Sequence, residues 1–152
     1  MKIVSFQQTY KKAFFDLNIE WLETFFYVEN FDREVLSNPE KYILNPGGHI
    51  FFAIEKEVVL GTVALMKRND ALFELTKMAV LPNQRGKKIG QQLIQYCIDF
   101  AKETNFDLFL YSNTILENAI YIYRKYGFIE VPVEPDSPYE RSNIKMILPL
   151  KS

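Results

Sequence analysis

Residues 84–90 read Gln-Arg-Gly-Lys-Lys-Ile-Gly, a basic turn that carries two glycines. The turn follows an apolar run from Leu72 to Leu81 that is typical of a strand, and it opens an amphipathic run to about Glu103 that is typical of a helix. The free backbone N–H groups and the dipole at a helix N-terminus attract negative charge, and glycine lets a phosphate approach the backbone closely. We therefore predict that this turn binds a phosphate-bearing cofactor.

The bulk properties of the chain predict one globular domain spanning residues 1–152, because 48% of the residues are hydrophobic and 24% are charged. The net charge of −1 gives no indication of a nucleic-acid partner. Cys97 is the only cysteine and His49 the only histidine, so we expect neither an internal disulfide nor a metal site. We also expect no membrane span, no signal peptide and a cytoplasmic location, since no long apolar run occurs.

Hydrophobic periodicity predicts the element order β-α-α-β-β-β-α-β-α-β-β. The predicted strands cover residues 2–6, 49–54, 58–67, 72–81, 107–111, 128–133 and 143–150, and the predicted helices cover 9–27, 31–36, 88–103 and 116–126. We expect Phe14, Leu17, Trp21 and Phe25 to share the buried face of the first helix. Hairpins and crossovers both occur in this order, so the predicted fold class is α/β (α+β), a mixed sheet with helices on both faces.

Two common phosphate-binding motifs do not fit the turn. A Walker loop needs Ser or Thr after its Gly-Lys pair, whereas Gly86-Lys87 is followed by Lys88. A dinucleotide fingerprint belongs to the first strand–helix unit of a parallel sheet, whereas these glycines lie in the middle of the chain after a predicted meander. The turn therefore predicts a different class of phosphate site.

Two blocks of the sequence resemble the GNAT superfamily of acetyl-CoA-dependent N-acetyltransferases. Met78-Ala79-Val80 followed by residues 84–90 is similar to the family's cofactor signature, Gln/Arg-x-x-Gly-x-Gly/Ala, with Arg85 in its first place and Gly90 in its last. Residues 118–128, Asn-Ala-Ile-Tyr-Ile-Tyr-Arg-Lys-Tyr-Gly-Phe, are similar to a second family block, Ala-Ile-x-x-Tyr-x-x-x-Gly-Phe. Lys88 stands where the family has its middle glycine, but its backbone N–H is still available.

The resemblance implies the GNAT fold, a mixed sheet of about six to seven strands with about four helices and two central strands that splay apart. It also implies acetyl-CoA as the acyl donor and no metal. The pyrophosphate would bind backbone N–H groups, and pantetheine would pair with the strand beside them. The implied cofactor-binding residues are Met78, Ala79, Val80, Arg85, Gly86, Lys87, Lys88, Ile89, Gly90 and Gln91, with Asn113 and Asn118 as further polar contacts. For Asn113, a helix-capping role is an equal alternative.

The resemblance also implies two catalytic residues. Glu74, four residues before Met78, matches the general base that removes the proton of an alkylammonium, whose pKa is roughly 10.4. Strand alternation predicts that both side chains lie on the same face of their strand. Tyr123, four residues before Gly127, matches the acid that protonates the leaving thiolate, because a tyrosine hydroxyl is neutral at pH 7. The alternatives are a solvated strand residue for Glu74 and a core aromatic for Tyr123.

The acceptor pocket is expected between the first two helices and the late loop, with Trp21, Phe26, Tyr139 and Arg141 as candidate walls. The fork of Arg141 could hold an acceptor carboxylate, or it could form a surface salt bridge with Glu140 or Asp136. The alternative for the two aromatic residues, Trp21 and Phe26, is a place in the core, where most aromatic residues of the first helix are expected.

The predicted function is transfer of an acetyl group from acetyl-CoA to a primary amine by direct attack in a ternary complex. The acceptor could be a small molecule or a protein amine, and exposed strand edges would allow a homodimer. A non-catalytic acyl-CoA-binding sensor or interaction module of the same fold is the alternative.

Overall fold

The computed structural model describes residues 1–152 as seven strands and four α-helices. The strands are β1 (Lys2–Ser5), β2 (His49–Glu55), β3 (Val58–Asn69), β4 (Leu72–Val80), β5 (Asp107–Ser112), β6 (Ile129–Val131) and β7 (Ile144–Leu148). The helices are α1 (Lys11–Phe25), α2 (Asn30–Ser37), α3 (Ile89–Thr104) and α4 (Glu117–Lys125). Short helical turns at Gln8–Tyr10, Glu40–Leu44 and Pro82–Gln84 complete the elements. The predicted order of strands and α-helices is confirmed.

The seven strands form one mixed sheet in the order β1-β2-β3-β4-β5-β7-β6. Neighbours are antiparallel except β4 and β5, which are parallel because α3 carries the chain across one face of the sheet between them. The β2–β3 hairpin closes through Lys56 and Glu57, whose φ values of 50° and 67° suit the left-handed residues of a tight turn. The mixed sheet predicted from hairpins and crossovers is therefore confirmed.

Each face of the sheet has its own core. The larger cluster packs α3 and α4 on one face, and the smaller cluster packs α1, α2 and the Glu40–Leu44 turn on the other. The amphipathic run predicted as a helix is α3, and its buried residues are Ile89, Leu93, Ile94, Cys97, Ile98 and Ala101. In α1 the prediction is partly wrong, because Phe25 is 42% exposed and Leu22 is buried instead. No helix combines the length and apolarity needed to cross a membrane.

Strand β4 carries one extra residue at Lys77. Thr62 and Ala64 lie two positions apart on β3, whereas their partners Ala79 and Thr76 lie three positions apart on β4. Lys77 takes up the extra length with a φ of 55°, a left-handed conformation that is rare for residues other than glycine. Such a β-bulge bends its strand and redirects the side chains that follow.

The bulge reverses the alternation of side chains along β4. Glu74, before it, lies opposite Met66 on the face of the smaller core, whereas Met78, after it, packs against the larger core. The expectation that Glu74 and Met78 share a face is therefore wrong. Its physical reason is the one-residue insertion, since the period of two holds only in an unbroken strand.

The parallel pairing of β4 with β5 stops just before the bulge. Only three residue pairs are in register, Leu72–Asp107, Phe73–Leu108 and Glu74–Phe109. Both strands continue beyond that point, to Val80 and Ser112, without pairing to each other. The central strands therefore splay apart, as the family resemblance implied, and they leave an opening in the middle of the sheet.

Candidate active site

A groove runs along the start of α3, beside the end of β4. We call it the outer groove; its volume is ≈ 360 Å³. It brings together most of the predicted cofactor-binding residues, and its walls include Met78, Ala79, Val80, Arg85, Gly86, Lys88, Ile89, Gly90, Gln91 and Asn118. Lys87 is exposed beside the groove and is not part of its wall. The strand end, the basic turn and the helix start thus form one surface.

The floor of the outer groove is backbone. The first hydrogen bond of α3 runs from the Gln92 N–H to the Lys88 carbonyl, and no side chain caps the helix start. The N–H groups of Ile89, Gly90 and Gln91 therefore have no partner within the helix, and they are available to an anion.

The two glycines of the turn serve different purposes. Gly86 has a φ of 85°, and a Cβ there would meet nothing within 4 Å, so its backbone conformation calls for glycine. Gly90 is helical, and a Cβ there would meet only the Met78 Cε atom at 3.9 Å, so the protein itself leaves room for a side chain. The empty space beside the exposed N–H groups is large enough for a phosphate group to approach them, as expected of an anion-binding site.

Lys88 has a φ of 65°, which explains why the related signature carries glycine at this position. The left-handed backbone of Lys88 gives the turn a shape that leaves the N–H groups at the start of α3 exposed to the outer groove. The neighbouring Arg85 does not leave its charge free, because its guanidinium bonds to Glu20 of α1 at 2.5 Å and lies over the Phe25 ring.

A second cavity of ≈ 200 Å³ fills the splay between β4 and β5. We call it the inner cavity. Its lining comes from both faces of the sheet: Asn18, Trp21, Leu22, Phe26 and Asp32 from α1, α2 and the segment between them, and Leu116, Ala119 and Tyr123 from α4 and the loop before it. The sheet contributes Leu75 to Met78, Tyr111 and Ser112, and the late loop contributes Tyr139, Arg141 and Ser142. The cavity therefore passes through the sheet.

The outer groove and the inner cavity share four lining residues: Trp21, Met78, Ala119 and Tyr123. Tyr123 is 9% exposed, and burial raises the pKa of its hydroxyl to about 12. The hydroxyl is therefore a protonated hydrogen-bond donor throughout the neutral range. A ligand that lies in the groove and reaches into the cavity would pass this side chain.

Glu74 lies behind the wall of the inner cavity and does not line it. Its side chain is 1% exposed, and its carboxylate is bonded by the guanidinium of Arg68 and, at 3.5 Å, by the hydroxyl of Tyr139. The alternative of a solvated strand residue is thus wrong for this side chain, since it is buried. Because the Glu74 carboxylate has no contact with the cavity, it can exchange a proton with a ligand there only through a neighbouring side chain.

The four predicted acceptor-side residues, Trp21, Phe26, Tyr139 and Arg141, all line the inner cavity. The fork of Arg141 is already occupied, because it donates to both oxygens of Asp32 at 2.6 and 2.9 Å and to Glu29 at 2.9 Å. Its partners are therefore neither of the expected residues, Glu140 and Asp136. The pair is buried, since the side chains of Arg141 and Asp32 are 14% and 0% exposed.

Asn113 lines the inner cavity rather than the outer groove. Its amide donates to the Arg141 carbonyl at 2.7 Å, and its side-chain oxygen accepts from the Ile115 N–H at 2.9 Å. It does not cap α4, whose N-cap residue is Leu116. Asn113 therefore joins the end of β5 to the late loop.

Sequence reasoning missed Lys77, Asp32 and Tyr111, three polar residues that line the inner cavity. Lys77 looks like an ordinary exposed strand residue in the sequence, and only the bulge turns it inward, to 6% exposure. Asp32 occupies the third position of α2, where its carboxylate bonds to the Glu29 N–H in a capping box. The capping box could have been predicted from the local sequence. The other two partners of Asp32, Lys77 and Arg141, could not, because they come from distant parts of the chain.

A family model described as the Acetyltransferase (GNAT) family matches residues 13–128. An uncharacterized N-acetyltransferase from Dictyostelium discoideum is 24% identical, over 78% of this chain and 83% of that protein. The N-acetylaspartate synthetase of Danio rerio is 31% identical, over 70% of this chain but only 42% of that protein.

Solved structures show the same architecture. An acetyltransferase of the GNAT family from Staphylococcus aureus superposes with a TM-score of 0.86 at 26% identity, and the match covers 99% of both chains. Spermidine N-acetyltransferase from Vibrio cholerae superposes at 0.75 with 18% identity, covering 99% of this chain and 95% of that one. An aminoglycoside 6′-N-acetyltransferase in complex with coenzyme A superposes at 0.73 with 16% identity, covering 100% and 98%. The last two likenesses are of fold alone.

Proposed function

The chain belongs to the GNAT acetyltransferase family and is an acyltransferase, and we propose that it transfers an acetyl group from acetyl-CoA to a primary amine by direct attack in a ternary complex. The observation that carries the proposal is the junction between the two spaces. Tyr123 and Met78 stand where the outer groove opens into the inner cavity, so one ligand in each space would meet beside them.

In this proposal the outer groove holds the donor. Backbone N–H groups between Arg85 and Gln91 bind the pyrophosphate, and Gly86 and Gly90 keep the backbone accessible to it. The free edge of β4 from Met78 to Val80 pairs with the pantetheine arm, because β5 no longer covers that edge. Acetyl-CoA supplies the activated acetyl group as a thioester.

The inner cavity holds the acceptor amine. A backbone N–H near Met78 or Ala79 stabilises the negative charge that develops on the acetyl oxygen. Tyr123 donates its hydroxyl proton to the departing thiolate, for which its raised pKa keeps it protonated. Glu74 serves as the final proton acceptor for the amine, and Cys97 takes no part because it is fully buried in the core under α3.

What similar proteins act on supports the acceptor class. Two of them are named as N-acetyltransferases of spermidine and of an aminoglycoside, and a third is named N-acetylaspartate synthetase. Spermidine, aminoglycosides and aspartate, the parent amine of N-acetylaspartate, all carry a primary amine. An alanine-first peptide adds the protein class, since a ribosomal-protein-S18-alanine N-acetyltransferase from Escherichia coli shares the fold. These four compounds form the acceptor panel for the test.

The first experiment is calorimetric titration of the protein with acetyl-CoA, with desulfo-CoA and ATP as controls, followed by detection of released thiol with each member of the acceptor panel. We expect saturable acetyl-CoA binding without comparable ATP binding, and thiol release with at least one acceptor. Absence of acetyl-CoA binding would overturn the donor assignment. Binding without thiol release for any acceptor would instead favour the non-catalytic acyl-CoA binder.

The Tyr123→Phe variant tests the acid assignment. We expect kcat to fall by ~10²-fold or more while the affinity for acetyl-CoA is unchanged, because the hydroxyl acts only as the thiolate leaves. Tyr121→Phe is the matched control, since Tyr121 lies on the same helix but is 66% exposed. Equal kcat values for the two variants would remove Tyr123 from the mechanism.

A further inference from the structure

Behind the inner cavity lies a continuous chain of buried polar groups, which we call the Lys77–Glu74 chain. The Lys77 Nζ nitrogen donates to the Tyr139 hydroxyl oxygen at 3.2 Å, and the Tyr139 hydroxyl donates to a Glu74 carboxylate oxygen at 3.5 Å. Both hydrogen bonds thus point toward the carboxylate. All three residues are at most 6% exposed. A chain with one donor direction can shift protons along its length without moving heavy atoms.

Only one end of the chain faces the cavity. Lys77 and Tyr139 line the inner cavity, whereas Glu74 does not. A proton from a ligand in the cavity can therefore reach Glu74 through Tyr139, either directly or by way of Lys77. The 3.5 Å link is long, which is common for catalytic hydrogen bonds before a substrate is bound.

The charge of Lys77 is incompletely balanced. Its nearest carboxylate, Asp32, is 3.2 Å away, but Arg141 already bonds both oxygens of that carboxylate. Burial lowers the pKa of Lys77, Asp32 and Glu74 raise it, and Arg141 lowers it again, for a net fall below the ordinary lysine value. Arg68 is paired with Glu74, the second carboxylate that raises the Lys77 pKa. A lowered pKa makes the neutral amine, the form that can accept a proton, more accessible than it is in an exposed lysine.

We propose that Lys77 is a catalytic base for the acceptor amine and that the Tyr139 hydroxyl relays the proton to Glu74. The inference rests on the proposed acetyl transfer. An N–H bond of the acceptor ammonium breaks, its electron pair stays on the acceptor nitrogen, and the proton moves to the Lys77 amine. Lys77 then gives a proton to the Tyr139 oxygen while the Tyr139 proton moves to the Glu74 carboxylate. After the product leaves, water in the cavity takes the proton back along the same chain.

The relay explains two features together. It gives the buried Glu74 a route to the reaction, and it gives a purpose to the bulge that turns Lys77 inward. The strained left-handed backbone of Lys77 occurs where it places an amine beside the splay.

The first test needs no acceptor and no acetyl-CoA. The ε-carbon resonance of Lys77 is followed by NMR against pH in protein with labelled lysines, and the Lys77→Met variant assigns the signal. We expect Lys77 to titrate below the exposed lysines, and the Glu74→Gln variant to lower its midpoint further, because a nearby negative charge is lost. A Lys77 midpoint among those of the exposed lysines, unmoved in Glu74→Gln, would overturn the relay.

The second test measures turnover of the Tyr139→Phe variant with the acceptor-panel compound that the wild type acetylates fastest. The ring and its contacts with Phe31 and Arg141 remain, and only the hydroxyl is lost. We expect kcat to fall by ~10²–10⁴-fold with unchanged acetyl-CoA affinity. The double variant with Glu74→Gln should be no slower than the slower single variant, since both break one chain. Lys77→Met should abolish the rise of kcat/KM with pH.

Tyr42→Phe is the matched control, because its hydroxyl also bonds a glutamate, Glu34, at 3.0 Å, but outside both cavities. If the wild type transfers acetyl groups and Tyr139→Phe keeps the wild-type rate and pH profile, the relay is refuted and the transferase stands. If the wild type binds acetyl-CoA but acetylates no acceptor, the proposed function fails and the relay fails with it.

Discussion

In the turn before α3, glycine is required for two separate reasons: a left-handed backbone conformation at one position and empty space beside the backbone at another. Gly86 is needed for its left-handed φ, although a side chain would have room there. Gly90 has an ordinary helical backbone, and the protein leaves the space beside it empty. Lys88 meets the first demand without being glycine, at a cost of about 1–2 kcal/mol. The two glycines should therefore respond to the same substitution in opposite ways.

We expect Gly90→Ala to raise the free energy of unfolding by about 0.5 kcal/mol, since glycine weakens a helix relative to alanine. The larger side chain of Gly90→Val should weaken acetyl-CoA binding at least ~10-fold by filling the cradle. Gly86→Ala should instead lower the free energy of unfolding by about 1 kcal/mol, because alanine resists a φ of 85°. Urea denaturation and calorimetry measure both quantities. Stability changes of the same sign in the two alanine variants would contradict this account.

At the scale of elements, α2 is the helix most dependent on distant partners. It has only eight residues, and its first turn is tied to the late loop through Glu29, Asp32 and Arg141. Burial alone would raise the pKa of Asp32, but hydrogen bonds from Arg141 and the charge of Lys77 outweigh burial and hold the pKa below its ordinary value of 3.8. The ionised carboxylate is therefore the form that the fold stabilises.

We expect Asp32→Asn to lower the free energy of unfolding at pH 7 by roughly 3–5 kcal/mol, because the buried Arg141 guanidinium loses its carboxylate partner and Lys77 loses its nearest carboxylate. A carboxyl whose pKa is lowered in the folded state contributes stability that is present above pH 3.8 and lost as the pH falls through the folded-state pKa. The difference between wild type and variant should therefore shrink below pH 3.8.

The control for this prediction is Asp16→Asn, which breaks an exposed pair with Lys12 at side-chain exposures of 53% and 86%. We expect a loss of no more than about 0.5 kcal/mol for the control. Denaturant unfolding from pH 2.5 to 7 measures both variants. A difference between wild type and Asp32→Asn that is constant across this range would show that the Asp32 carboxylate is not the source of the stability.

The same elements show what the sequence could predict. The six buried residues of α3 follow from its apolar spacing, because amphipathicity is a local pattern. The groove residues around Gly86 and Gly90 follow from the motif they match. The inner cavity does not follow in the same way, since the Arg141–Asp32 pair joins positions 109 residues apart.

The bulge at Lys77 is the other feature that sequence reasoning missed. Alternation along β4 looks regular in the sequence, and no glycine marks the extra residue. The insertion is visible only in the pairing of β4 with β3, where two positions face three. One misplaced residue sends Glu74 and Met78 to opposite faces, which is why the predicted base lies behind the cavity rather than in its wall.

At the scale of the whole molecule, the sheet consists of two parts joined by a short seam. Strands β1 to β4 form one antiparallel part, and β5, β7 and β6 form the other. The seam is the parallel ladder of three residue pairs between β4 and β5, whereas the β2–β3 and β3–β4 ladders each contain seven. The inner cavity lies where the seam ends.

We expect amide hydrogen exchange under low urea concentrations to divide the sheet along this seam. Amides of β5, β6 and β7 should open together at a lower free energy than those of β2, β3 and β4, because fewer ladder bonds hold the smaller part. Acetyl-CoA should bring the two free energies closer, since the proposed donor groove has walls from β4 and α3 in one part of the chain and from α4, which follows β5, in the other. A single free energy of opening for all seven strands would refute the division.

The burial of Cys97 makes the protein its own indicator of unfolding. This thiol is 0% exposed beneath α3, and burial raises its pKa above the ordinary value. A thiol reagent that detects free coenzyme A during turnover would therefore give no background from the native enzyme. Without substrate, the same reagent can label Cys97, the one thiol in the chain, only when α3 separates from the sheet. The labelling rate would therefore measure how often the core opens.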